Sequence, residues 1–280
     1  MKYLEEDWCG LDWSEWYPLH EGRSLAKGLG KGPGIYRIRD PDKNTLAYIG
    51  QSGRCLRKNL EVLRDESSAK RVAPDSKHFA SPCVFVYNKV KDVDVEVSTL
   101  SFKGNDPERL ATECFLIWNY RHEAGSSPRC NLGKFHEGFE MTVDDDGVKV
   151  RKLDVSEESD YASIAPLDHD EPFASEEWMG LRWTEWLPLD KKTVKAMDDE
   201  ICFLRLADDG INELKRVDHT ESLKETLAGH LKEKWSNKAL FSISFRGLDL
   251  PPIHIAEIRN DLIAGYYLET SEAPTAQFIR

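Results

Sequence analysis

The sequence has no long hydrophobic run: no stretch approaches the ~20 apolar residues that a membrane span needs. Its opening residues, MKYLEEDWCG, are acidic and lack the apolar core of a secretory signal. Six cysteines (Cys9, Cys55, Cys83, Cys114, Cys130 and Cys202) include no C-x-x-C pair, which argues against a zinc ribbon or a disulfide framework. Basic residues are also short, with 38 Lys and Arg against 50 Asp and Glu, a net charge of −12. These absences predict a soluble, cytoplasmic protein with reduced thiols and no membrane partner. What is present is enough for a core. The 280 residues are 40% hydrophobic and 31% charged, which fits two ordinary domains.

The deficit of base is local. Residues 1–140 balance at 21 basic and 21 acidic side chains, whereas residues 141–280 hold 17 basic and 29 acidic. Within the first half, residues 20–91 carry 15 Lys and Arg against 7 Asp and Glu. A positive block of this kind attracts phosphate even on an acidic chain, although an ordinary solvated surface has the same composition. Residues 141–177 hold 12 acids and 3 bases and are expected to form a mobile acidic linker. Within it, Asp144-Asp145-Asp146-Gly147 lacks the alternating oxygen ligands and the distant Glu of a calcium loop and reads as an acidic turn.

An internal repeat frames that linker. WCGLDWSEWYPL at 8–19 and WMGLRWTEWLPL at 178–189 agree at eight of twelve positions, including all three tryptophans of each copy. Correspondence continues from Tyr36–Asp40 to Leu204–Asp208, and from Leu116, Ile117, Tyr120 and Glu123 to Leu262, Ile263, Tyr266 and Glu269. The expected organisation is therefore a first domain at 1–140, the linker at 141–177 and a repeat of the first domain at 178–280. The tryptophans fit either a base-stacking platform or packing of each copy's N-terminal segment onto its own core.

In the first copy, Ile35–Arg39 alternates apolar and basic, as a half-buried strand does. The turn cluster Asp40–Asn44 leads to a second strand at Leu46–Ile49, giving a hairpin. Leu56, Leu60 and Leu63 have helical spacing among basic residues. Asp92–Leu100 alternates again and predicts a third strand. Asn105-Asp106-Pro107 starts a helix over Glu108–Glu123, which Gly125-Ser126-Ser127-Pro128 ends. The fold class expected is α+β: a small antiparallel or mixed three-stranded sheet flanked by helices, duplicated in tandem.

The hairpin carries Gly34-Ile35-Tyr36 and, eleven residues later, Tyr48-Ile49-Gly50. A basic helix, His78, Glu113 and Asn131 follow in order. Over residues 34 to about 135 the chain resembles the GIY-YIG nuclease superfamily, including stretches that read YIGQSGRCLR and Leu116–Pro128. The resemblance implies hydrolysis of DNA phosphodiester bonds with one Mg²⁺ or Mn²⁺ held by Glu113. Tyr36 and Tyr48 would activate water and position the phosphate. An unperturbed tyrosine, with a pKa of ~10, is a poor base at neutral pH, so nearby cations must assist. Arg57 would hold phosphate oxygens through its planar fork, with Arg54 competing for that role and Lys58 beside them binding substrate. His78 and Asn131 complete the implied set, Asn131 orienting phosphate or metal-bound water.

Across the repeat, Leu204 stands at Tyr36, Lys215 near Tyr48, Lys224 at Arg57, Arg259 at Glu113 and Gln277 at Asn131. The second copy is therefore expected to be catalytically inactive, serving as a scaffold or as an acidic surface for a protein partner. One active site cuts one strand per encounter, so double-strand cleavage would require a homodimer. The expected partner is duplex DNA; the competing reading is a non-catalytic DNA-binding or regulatory protein on the same scaffold.

Overall fold

The computed structural model describes residues 1–19, 30–68, 80–90, 92–133, 139–144, 147–152, 162–245 and 250–279. The chain divides into two compact units, Met1–Arg109 with Asn119–Ser163, and Leu110–Trp118 with Ile164–Arg280. Among the described residues, no helix is long and apolar enough to cross a membrane.

The first unit runs β1 (Tyr17–Pro18), β2 (Gly34–Asp40), β3 (Thr45–Ser52), α1 (Leu56–Ser68), α2 (Ser81–Phe85), β4 (Glu96–Ser101) and both ends of α3 (Asp106–Ala124), whose middle, Leu110–Trp118, groups with the second unit. The β2–β3 turn is held by Asp40, whose Oδ1 accepts from the backbone N–H groups of Asp42 (3.0 Å) and Lys43 (3.2 Å). Helix α3 begins with a capping box: Asn105 accepts from Glu108 N–H while Glu108 accepts from Asn105 N–H. It ends at Gly125, in the left-handed conformation at φ 74°. The sheet is antiparallel throughout, in the order β1-β4-β2-β3. The α+β class holds, but the expected three-stranded sheet is corrected to four strands. The extra strand β1 is two residues long and ends in proline, so it carries no alternation to read.

A separate hairpin pairs β5 (Phe139–Asp144) with β6 (Gly147–Lys152). The second unit then runs β7 (Leu187–Pro188), α4 (Lys191–Ala196), β8 (Cys202–Ala207), β9 (Leu214–Thr220), α5 (Leu223–His230), β10 (Leu240–Ser244) and α6 (Pro252–Thr270). Its sheet is also antiparallel and four-stranded, in the order β7-β10-β8-β9. The expected linker at 141–177 is not a single linker. It begins inside the β5–β6 hairpin, and its last third is packed. Leu167 and Phe173 are buried, and the backbone N–H groups of Ile164, Leu167 and Phe173 donate to Glu257, Asp261 and Glu269 of α6. The acids that look solvated in sequence lie between apolar anchors. Residues 153–161 lie outside the described set.

Both tryptophan motifs pack rather than stack on solvent. Trp8 and Trp13 are buried, and Trp13 Nε1 donates to Trp8 O at 3.1 Å. They enclose Arg37, which is completely buried although its strand alternation predicts a solvent-facing base. The Arg37 guanidinium lies 4.3 Å from the Trp13 ring centroid, 4.7 Å from Trp16 and 5.7 Å from Trp8. It donates to Tyr3 O at 2.6 Å and Glu5 O at 2.8 Å. Burial pulls its pKa down to about 9, still above neutral pH, so the group stays cationic. The second unit repeats this arrangement around the equally buried Arg205. Trp186, Trp183 and Trp178 stand at 4.4, 4.5 and 5.8 Å, and Phe173 O and Ser175 O are its acceptors.

Cys83 at α2 and Cys130 after α3 come close together although 47 residues apart, with Cα atoms 6.1 Å from each other.

Candidate active site

Alternation along β2 and β3 sets the site. Tyr36 pairs with Gly50, and Ile38 pairs with Tyr48, so all four share one face of the hairpin. Tyr36 is 1% exposed and Tyr48 is half-buried; their ring centroids are 6.0 Å apart, with planes inclined at 34°. Gly50 is where the rings need room. A Cβ there would lie 2.7 Å from the Tyr36 hydroxyl oxygen and would collide with Cε1 of Tyr48. Gly34 has the same kind of reason: a Cβ would lie 2.7 Å from Leu56 Cδ2 at the start of α1. The two glycines of the tripeptides thus let the rings pack over β3 and let α1 approach β2.

The first backbone N–H groups of α1 are capped by loop carbonyls, Leu56 N–H to Gly32 O (2.9 Å) and Arg57 N–H to Gly30 O (3.3 Å). This fixes Arg57, half-buried, on the first turn, with Arg54 and Lys58 exposed around it. A further arginine escaped the sequence reading. Arg109 is 3% exposed, and its Nε donates to Gln51 Oε1 at 2.8 Å while NH1 pairs with Asp106. The signal was Gln51 itself, directly after the second tripeptide.

Asn131 is buried and bonds to β3. Its Oδ1 accepts from Ile49 N–H and its Nδ2 donates to Ile49 O, both at 2.8 Å. The amide extends the edge strand and holds the residue next to Tyr48. Glu113 is half-buried in the part of α3 that groups with the second unit. His78 lies outside the described residues.

The second sheet has a matching ladder with different chemistry. Leu204 pairs with Asp218 and Ile243, as Tyr36 pairs with Gly50 and Thr99. Arg216, not Lys215, holds the position of Tyr48: it pairs with Leu206 as Tyr48 pairs with Ile38. Each hairpin has an irregularity one step further on, between Ile38 and Arg39 and between Leu206 and Ala207, so the two ladders keep one offset. The structural bonds persist. Gln277 Oε1 accepts from Val217 N–H at 2.7 Å where Asn131 holds Ile49. Tyr266 OH accepts from Leu214 N–H at 3.2 Å where Tyr120 OH accepts from Leu46 N–H, also at 3.2 Å.

Among the described residues no group of three or more His, Cys, Asp or Glu side chains gathers to hold a metal ion. The only donor in the implied set is therefore a single carboxylate. That fits Mg²⁺ or Mn²⁺ retaining most of its water, and does not fit a dehydrated all-protein cage. Comparison of the chain with protein-family models, curated proteins and solved structures finds no match in any of them.

Proposed function

We propose that the protein is a metal-dependent endonuclease that hydrolyses DNA phosphodiester bonds at one site in its first half. The observation that carries the proposal is the tyrosine pair: two phenols on one face of the hairpin, their ring centroids 6.0 Å apart, packed over a glycine where a Cβ would crowd both. Hydrolysis needs a water relieved of its proton, a phosphate held still, and donors for the charge that grows on the phosphorus oxygens. Tyr36 hydrogen-bonds the attacking water, Tyr48 positions the phosphate, and Arg57 receives its oxygens in a planar fork. Arg54 and Lys58, exposed on the same turn, attract the flanking backbone. Asn131 keeps the strand beneath Tyr48 in register. Glu113 would hold the divalent ion, which supplies Lewis-acid stabilisation of the leaving oxygen when bound.

The second half is a diverged copy of the first, joined to it in tandem. Its support is the shared strand order, the paired arginine–tryptophan cages and the Asn131/Gln277 and Tyr120/Tyr266 correspondences. That copy has no tyrosine pair and carries Arg259 at the place of Glu113, so it does not cut.

The test is nicking of supercoiled plasmid with Mg²⁺. The wild type should nick and Glu113→Ala should not. Tyr36→Phe should slow the reaction by about 10²–10⁴-fold, the usual contribution of a general acid–base group. Equal nicking by wild type and Glu113→Ala refutes the assignment. A second reading, a DNA-binding protein without catalysis, is favoured by one observation, the near-complete burial of Tyr36. It predicts duplex binding with no nicking by any variant.

A further inference from the structure

The second unit is more than the repeat, because it also takes in Leu110–Trp118, the middle of α3. Glu113 lies inside this stretch, and the residues on either side of it are tied to the rest of the unit. Thr112 Oγ1 donates to the Tyr267 hydroxyl at 3.0 Å. Asn260, 4% exposed, donates through Nδ2 to Cys114 O at 3.1 Å. The Phe115 ring stands 5.7 Å from that of Tyr267, and Trp118 Nε1 donates to Leu167 O at 2.8 Å. Ala111, completely buried, and Cys114 share one apolar cluster with Ile263 and Tyr267. Asn260, Ile263 and Tyr267 all belong to α6, at spacings of three and four that put them on one helix face. Ala111, Cys114, Phe115 and Trp118 form the stripe of α3 that meets it.

Apolar stripes alone would hold two helices together. The two polar contacts add direction, because a hydrogen bond weakens steeply away from its preferred distance and angle. A buried asparagine between packed helices fixes register at some cost in stability. A helix also carries its side chains at set angles, so holding Thr112 and the Cys114 carbonyl sets the direction in which Glu113 leaves α3. We propose that Asn260 and Tyr267 are positioning residues, which set the Glu113 carboxylate for its divalent ion. The inference rests on the nuclease reading above and gives the non-cutting repeat a task in it: aiming the one carboxylate that the cutting half needs.

The experiment uses the full-length chain and two readouts. Hydrogen exchange of the 110–118 backbone in EDTA, followed by mass spectrometry, reports how firmly the segment is held without metal or DNA. Plasmid nicking over a Mg²⁺ series reports the concentration for half-maximal rate. Tyr267→Phe removes only the hydroxyl and should speed exchange at 110–118 about fivefold, the worth of one hydrogen bond. Asn260→Ala should do at least as much; where it fails to fold, Tyr267→Phe decides the matter. Both should raise the half-maximal Mg²⁺ concentration about tenfold, the usual loss when a group supporting a metal ligand is removed, with the wild-type rate regained at saturating Mg²⁺. Tyr266→Phe is the control. Its hydroxyl accepts from Leu214 N–H inside the second sheet, so its loss should lower the urea midpoint and leave the Mg²⁺ dependence unchanged. Faster exchange with wild-type Mg²⁺ dependence overturns the inference and leaves the nuclease reading standing, as does unchanged exchange. A Mg²⁺ shift in Tyr266→Phe also overturns it, because general loosening would then suffice. No nicking by the wild type refutes the nuclease reading and the inference with it.

Discussion

Replacing Arg37 with methionine tests what holds the first unit together. The substitution nearly conserves volume, so little cavity is created. It removes two charge-assisted hydrogen bonds, to Tyr3 O at 2.6 Å and Glu5 O at 2.8 Å, and leaves the buried Tyr3 carbonyl unsatisfied. Such an orphaned acceptor costs about 1–3 kcal/mol. Cation–π contacts with three indoles add about 1–2 kcal/mol for a desolvated guanidinium. Against this stands relief from burying a charge that has no carboxylate in hydrogen-bonding contact, worth several kcal/mol in isolation. The orphaned carbonyls and the lost ring contacts together outweigh that relief, for a net destabilisation of about 3 kcal/mol. With a urea dependence of about 2–3 kcal/mol per molar, the midpoint should fall by about 1 M. Tryptophan fluorescence is a suitable readout, since Trp8, Trp13 and Trp16 surround the substituted group. An unchanged midpoint would show that the hydrogen bonds and ring contacts only balance the cost of burying the ion, and would refute the cage as a stabilising device.

Gly50→Ala should slow nicking strongly and cost about 1–3 kcal/mol of stability, because the new methyl displaces the Tyr36 hydroxyl and the Tyr48 ring; wild-type rates would remove the close-packing argument. Asn131→Ala should lower the urea midpoint by an amount equivalent to about 1–3 kcal/mol, having lost two buried bonds to Ile49. His230 has a depressed pKa, mainly through burial, so the unfolded chain binds more protons and stability falls as pH drops below about 6.5. His230→Asn should flatten that decline between pH 7.5 and 5.5 in urea melts.

The hairpin, its turn, the start and end of α3, and the juxtaposition of the two tyrosines were legible because each depends on local rules. These are alternation, an Asp in the turn, Asn–Pro at a cap and Gly past the helix end. What stayed hidden depends on distant partners. Arg37 reads as a solvent-facing base until Trp13 and Trp16, more than twenty residues earlier, close over it. The bonds of Asn131 to the Ile49 backbone, 82 residues away, have no local signature. The acids at 168–171 and 176–177 suggested a linker, yet Leu167, Phe173 and Trp178 between them supply the buried anchors. Tyr48's counterpart follows from the same offset of 168 that relates Tyr36 to Leu204, and lies at Arg216, one residue beyond Lys215.

The proposed duplication separates what the fold requires from what the chemistry requires. The arginine–tryptophan cage, the tyrosine that caps the end of the second strand and the amide that holds that strand recur in both halves with similar geometry. Tyr36, Tyr48, Gly50 and Glu113 do not recur; Leu204, Arg216, Asp218 and Arg259 take their places. A sheet that accepts leucine for the first tyrosine and keeps its strand order does not need that tyrosine in order to fold. The replacements also make sense as a set: Asp218 fills the gap above β9, Arg216 pairs with it, and Arg259 reaches it from α6. One ion cluster thus occupies three of the four positions at which the halves differ. On that reasoning, restoring only the second unit's tyrosines would leave it inactive, because Arg259 would repel the metal that position 113 is proposed to hold. The informative variant is therefore Arg259→Glu combined with the tyrosine pair and Asp218→Gly, assayed for nicking in a Glu113→Ala background. Activity there would tie metal binding to this helix position, and its absence with the fold intact would show that cutting requires more than these four residues.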